Sequence, residues 1–136
     1  MFDLASIVDI ENIIFTKPYW TKSGLRKLLN KNLSEKLWVF ESQNKIIGYL
    51  IEQHCDDEIS LLNVVIDLPF QNKGIGKKMI NKYLGNVPGN CTVFLEVNRS
   101  NLIAIKIYTD LNFKKIDIRK NYYHDGEDAL IMKYTK

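Results

Sequence analysis

At 136 residues, with 46% hydrophobic and 26% charged side chains, the chain has the length and apolar content of one soluble globular domain. Its net charge of +3 is dispersed, with no basic stripe interleaved by aromatics, so no nucleic-acid partner is expected. There is no apolar run of bilayer length and no basic start leading into an apolar stretch, so neither a membrane span nor a secretory route is expected, and a cytoplasmic location is the default.

In chain order the hydrophobic periodicity alternates between helix and strand. Residues 7–15 and 23–33 read as two helices separated by Thr16-Lys17-Pro18-Tyr19-Trp20, with Gly24 a weak spot in the second. Residues 37–41 and 45–54 read as strands joined by the polar Ser42-Gln43-Asn44, a turn of hairpin length. A strand over 58–66 follows, its apolar run interrupted by Asn63. A helix is expected over 74–84, a strand over 91–97, a helix over 101–111, and strands near 114–119 and 127–134. No repeat, low-complexity segment or linker divides the chain, so residues 1–136 read as a single mixed α and β domain with a central sheet.

The chemistry is concentrated where the strand ending at Val64-Val65-Ile66 runs into Gln71-Asn72-Lys73-Gly74-Ile75-Gly76-Lys77. Glycine at Gly74 and Gly76 would let consecutive backbone N–H groups turn toward an anion, and the helix behind them adds unpaired donors and its positive dipole end. Ile75, Met79, Ile80, Tyr83 and Leu84 recur at helical spacing, which commits one face of that helix to a core. Lys73, Lys77 and Lys78 crowd a helix start that disfavours cations, a conflict that a bound polyanion would remove. One residue between the glycines excludes a Walker loop, which needs four. The dinucleotide fingerprint is weakened by Met79 at its third glycine, although Glu96 falls near the place of its ribose-binding acid.

The remaining pattern, Gln-x-x-Gly-x-Gly after a strand, resembles the acetyl-CoA pyrophosphate loop of the GNAT family of N-acetyltransferases. Leu95-Glu96-Val97-Asn98-Arg99-Ser100-Asn101, the Ala104 to Phe113 helix segment, and Arg119-Lys120-Asn121-Tyr122-Tyr123 with Asp125-Gly126-Glu127-Asp128-Ala129 and Met132 resemble later parts of that family, in its protein N-terminal acetyltransferase branch. The likeness runs from about Asp3 to Tyr134. It implies a central, mixed but mostly antiparallel sheet flanked by helices. The family begins with a strand, whereas Met1-Phe2-Asp3-Leu4 leads almost directly into helical pattern, so the first edge strand is expected to be missing or truncated. That would leave the 37–41 strand as a sheet edge, open to dimerisation.

The resemblance implies acetyl-CoA as cosubstrate and no metal. It makes Glu96 the general base, acting through water, and Tyr108 the proton donor to the leaving thiolate. It gives the backbone of Val64, Val65 and Ile66 the thioester and pantetheine, gives Gln71, Asn72, Lys73, Gly74, Ile75, Gly76 and Lys77 the pyrophosphate, and adds Asn101 and Tyr108 as further cofactor contacts. Tyr19, Tyr122 and Tyr123 would line the first residues of a peptide. Read without the family, Glu96 is equally a solvent-face residue of an alternating strand, Tyr108 a core tyrosine, Asn101 a helix cap and the aromatic pairs ordinary packing. His54 and His124 have no ligand-spaced partners, Asp56-Asp57-Glu58 reads as a solvated turn, and Cys55 and Cys91 as buried small hydrophobes. Asn112 stands where the family has glycine after the helix, and asparagine also tolerates the left-handed conformation.

An α-amino group, pKa about 7.7–8, is neutral in roughly a tenth of molecules at pH 7, against under about a thousandth for lysine. A modest base therefore suits a protein N-terminus, and the resemblance implies the N-terminal alanine of a small-subunit ribosomal protein, acetylated by direct transfer in a ternary complex. The alternatives are another peptide or small amine as acceptor, a catalytically silent acyl-CoA sensor, and a nucleotide-binding module.

Overall fold

A computed structural model of the protein describes residues 35–42 and 45–136. The two helices expected over 7–15 and 23–33, Tyr19, and the start of the chain, where the first strand is expected to be missing or truncated, all lie outside the described residues.

The runs rich in β-branched and aromatic residues form the strands, as their propensity dictates. They are β1 (Glu35–Ser42), β2 (Lys45–Cys55), β3 (Glu58–Ile66), β4 (Thr92–Asn98), β5 (Lys114–Arg119) and β6 (Ala129–Thr135), and the helices among the described residues are α1 (Ile75–Gly85) and α2 (Leu102–Asp110). The strands make one six-stranded sheet in the order β1-β2-β3-β4-β6-β5. β3 pairs with β4 in parallel, while β1–β2, β4–β6 and β5–β6 are antiparallel, so the sheet is mixed and mostly antiparallel, as expected. Each element lies within two residues of its sequence-based bounds, and a single 3-10 turn, Leu68–Phe70, is added. Asp67 caps that turn by accepting from the Leu68 amide at 2.9 Å, and Pro69 presets its backbone.

The described chain forms two compact units. One takes in the described residues up to His54 together with Leu62–Gly76, and the other Cys55–Leu61 and Lys77–Lys136. In the first, Tyr49, Leu50, Ile51 and Val65 are buried. In the second, α1 buries Met79, Ile80, Tyr83 and Leu84, the face its periodicity assigned to a core. Val93, Leu95 and Val97 alternate along β4 as its buried face.

Three local features position the rest. Asp56 turns the chain between β2 and β3 with φ 53°, and Asp57 accepts from the Thr92 amide at 2.9 Å, so this acidic run is an exposed turn. Cys91 is buried as expected, but Cys55 is exposed, because it ends β2 where the strand leaves cover. After α2 the chain reverses at Asn112, φ 73°, with the Asn112 amide donating to Thr109 and the Phe113 amide to Tyr108. That is the six-to-one and five-to-two pair of a Schellman stop, with asparagine in the left-handed position.

Candidate active site

In the first unit, the segment after β3 is bent by two left-handed residues, Asn72 at φ 61° and Gly74 at φ 76°. Asn72 and Gly74 are thus the left-handed residues of the turn, just ahead of the helix start. Gly76 lies inside α1 with no positive φ, because the helix already begins at Ile75. A Cβ built on Gly74 would meet nothing within 4 Å, so the space over the turn is open. Asn72, Lys73 and Gly74 are exposed, and an open, glycine-turned backbone leading into a helix start fits a phosphate group. Gln71 has a second task here: its side-chain amide donates to the Ile66 carbonyl at 2.8 Å and ties the turn to the end of β3. Val65 is buried and Val64 and Ile66 half-buried, so their strand face is packed whatever their backbone binds.

In the second unit, Lys77 lies 3.5 Å from Asp110, which also takes Lys106 at 3.2 Å. The Lys106 hydrogen bond is the chief cause holding the Asp110 carboxyl below its usual range. Asn101 caps α2, its side-chain oxygen accepting from the Ala104 amide at 3.2 Å, and its own amide is held by the Asn98 carbonyl at 2.9 Å. Tyr108 is the buried residue of α2, and burial pushes its phenol up to about 12.

Glu96 alternates out of phase with Val93, Leu95 and Val97 and so occupies the less buried face of β4, with 28% of its side chain exposed. Arg119 meets it there, Nη1 to Oε1 at 3.3 Å. The same guanidinium lies 5.6 Å from the centroid of the Tyr122 ring, which stands edge to face with Tyr123 at 5.0 Å. Asp128 braces the loop that carries both tyrosines, accepting from the Asn121 amide at 3.1 Å and pairing with Arg99 at 3.3 Å. Among the described residues no group of three or more His, Cys, Asp or Glu side chains is arranged to hold a metal.

A family model described as an acetyltransferase (GNAT) domain matches residues 8–136. The chain belongs to the GNAT acetyltransferase family. The ribosomal protein bS18-alanine N-acetyltransferase of Haemophilus ducreyi is 36% identical to it over 136 residues, covering 96% of this chain and 92% of the relative. The crystal structure of the ribosomal-protein-S18-alanine N-acetyltransferase from Escherichia coli aligns with a TM-score of 0.85 at 31% identity, over 96% of this chain and 86% of that one. A GNAT family acetyltransferase from Elizabethkingia anophelis, solved with acetyl-CoA bound, shares the fold with a TM-score of 0.75 at 19% identity, over 94% of this chain and 89% of its own.

Of the residues expected at the GNAT site, the second unit brings Glu96 and Tyr122 within reach of one arginine, with Tyr123 against Tyr122. Two participants in this arrangement, Arg119 and Asp128, stood in the sequence only as members of the family-like tail, with no role of their own. Each acts through a partner strand or loop, and only register, which a sequence does not display, puts them there.

Proposed function

We propose that this GNAT enzyme transfers the acetyl group of acetyl-CoA to the α-amino group of a protein N-terminus, with the N-terminal alanine of a small-subunit ribosomal protein as its preferred acceptor. The observation that carries the substrate is the likeness, along nearly the whole of both chains, to relatives named for that alanine. Acetyl-CoA supplies the thioester, and the open turn at Gly74 with the first turn of α1 would hold its phosphates. Lys77 serves there only by sharing itself with Asp110 or leaving it.

Glu96 is the base in this reading. Its partly exposed position suits a proton path through water from the acceptor α-amino group, which is already neutral in a useful fraction of molecules. Tyr108 takes a narrower role than a free proton donor. A phenol at about 12 stays protonated, but surrendering its proton to a thiolate whose acid is near 8.5 runs uphill by roughly 5 kcal/mol. Hydrogen-bond donation to the developing negative sulfur, with the proton moving only as charge builds, is what its chemistry supports. Tyr122, exposed and with the Arg119 guanidinium over its ring, would contact the first residues of the peptide.

The test is mass spectrometry of a peptide with an N-terminal alanine and an internal lysine, after incubation with the protein and acetyl-CoA. Acetylation of the α-amine alone is expected. Lysine-only acetylation would overturn the acceptor class, and acetyl-CoA binding without any transfer would point to a sensor.

A further inference from the structure

We propose that Arg119 is a positioning residue for acetyl transfer, holding the Glu96 carboxylate and the Tyr122 ring in one arrangement; the inference rests on the reading of Glu96 as the base. Arg119 ends β5 and Glu96 lies on β4, with β6 between them. Two strand spacings come to about 10 Å, a gap that a long side chain can close only if both residues project from the same face. The register ensures that they do. Glu96 stands opposite Ile131 and Arg119 opposite Ala129, two residues apart on β6 and so on one face.

A single irregularity produces that register. Between Lys115, opposite Met132, and Asp117, opposite Ile131, β5 carries one extra residue, Ile116. Continued without the bulge, the ladder would set Ile118 against Ala129 and turn Arg119 to the other face. The bulge therefore aims a guanidinium at the carboxylate. An arginine, unlike a lysine, offers an edge to a carboxylate and a flat face to an aromatic ring at the same time. Its contacts, 3.3 Å from Nη1 to Glu96 and 5.6 Å from Cζ to the Tyr122 centroid, are one to a carboxylate and one to an aromatic ring.

The fold does not depend on these contacts. The ion pair is partly exposed on both sides, at 56% and 28%, where such pairs add little stability. The tyrosine loop is closed by other bonds, from the Tyr123 amide to Glu127 at 3.2 Å and from the Asn121 amide to Asp128 at 3.1 Å. Losing Arg119 should thus remove the link between the carboxylate and the ring while the structure stays intact.

Steady-state kinetics on the alanine peptide, with thermal unfolding of each variant, tests this. Arg119→Met is expected to lower kcat by about 10- to 100-fold and to raise KM by about threefold or more, with Tm moved by no more than about 2 °C. Arg119→Lys should restore kcat to within about threefold, because an ammonium keeps the pair with Glu96, while KM stays raised for want of the flat face. Glu96→Gln should lose kcat, and Tyr122→Leu should raise KM alone. Parental kinetics in Arg119→Met beside an inactive Glu96→Gln would overturn the positioning role and leave the base standing, whereas parental kcat in Glu96→Gln would overturn both. Should Arg119→Met fail to fold, Arg119→Lys decides: a raised KM supports the proposal and a parental KM overturns it.

Discussion

The Phe113 amide donates to the Tyr108 carbonyl at 2.9 Å, and the two rings meet edge to face with centroids 5.5 Å apart. One backbone bond and one aromatic contact thus join the last turn of α2 to the residue just before β5, and Phe113 extends the stack to Tyr134 on β6 at 5.3 Å. The helix stop and the burial of the candidate catalytic tyrosine are the same piece of packing. Aromatic pairs of this geometry contribute about 0.5–1.5 kcal/mol beyond their buried area.

The stop depends on Asn112 at φ 73°. Asn112→Gly is expected to be neutral or slightly stabilising, and Asn112→Val to cost at least about 1–2 kcal/mol, since a β-branched residue resists the left-handed region. Urea unfolding of the two variants checks this, and near-equal midpoints would contradict the stop as described.

Tyr108→Phe keeps the ring and removes the donor. We expect the fold to survive and kcat to fall by about 10²–10³, the usual loss for one donor at developing charge. Parental kcat in this variant would remove Tyr108 from the chemistry.

The same phenol links stability to pH. Its folded value is about 12 against an ordinary value near 10, so the folded state holds the proton more tightly than the unfolded chain. Its contribution is full below about pH 10 and is lost as pH rises through 12, a fall of about 3 kcal/mol. Denaturation measured between pH 9 and 12 should show a loss that is shallower by that amount in Tyr108→Phe, and identical slopes would refute the linkage.

Asp128 holds the loop of Tyr122 and Tyr123 through the Asn121 amide and Arg99. Asp128→Ala should cost about 1 kcal/mol and raise KM for the peptide more than it lowers kcat. Hydrogen exchange at the Asn121 amide reports the loosening directly, and unchanged protection there would count against the brace.

Lys136 donates to the carbonyls of Leu84, Gly85 and Val87 at 3.1, 3.2 and 2.7 Å, placing a cation at the negative end of α1 and just beyond it. Lys136→Met should lower stability by about 1 kcal/mol with no change in kcat. An unchanged unfolding midpoint would show that these bonds are exchanged for water without loss.

Much of this architecture was legible because it follows from local rules. Alternation along β4, the helical spacing of Met79, Ile80, Tyr83 and Leu84, the Asn101 cap and the left-handed Asn112 each depend on a residue and its near neighbours in the chain. The left-handed Asn72 beside Gly74 carried no such local signal, because its conformation depends on how the turn after β3 closes. Cys55 was misjudged because burial at a strand end is set by whatever covers it, and nothing within the chain's own periodicity reports that cover.

The order of the described elements, the glycine turn after β3 and membership of the GNAT family were determined by the sequence itself, since periodicity, turn chemistry and motif spacing are properties of contiguous residues. The meeting of Glu96, Arg119 and Tyr122 was decided only by the tertiary structure. It requires β5 to lie beyond β6, antiparallel to it, and one extra residue at Ile116 to change which face Arg119 occupies. Strand pairing is a relation between distant segments, and a shift of one residue turns every side chain beyond it to the other face, which no local pattern in the chain reports.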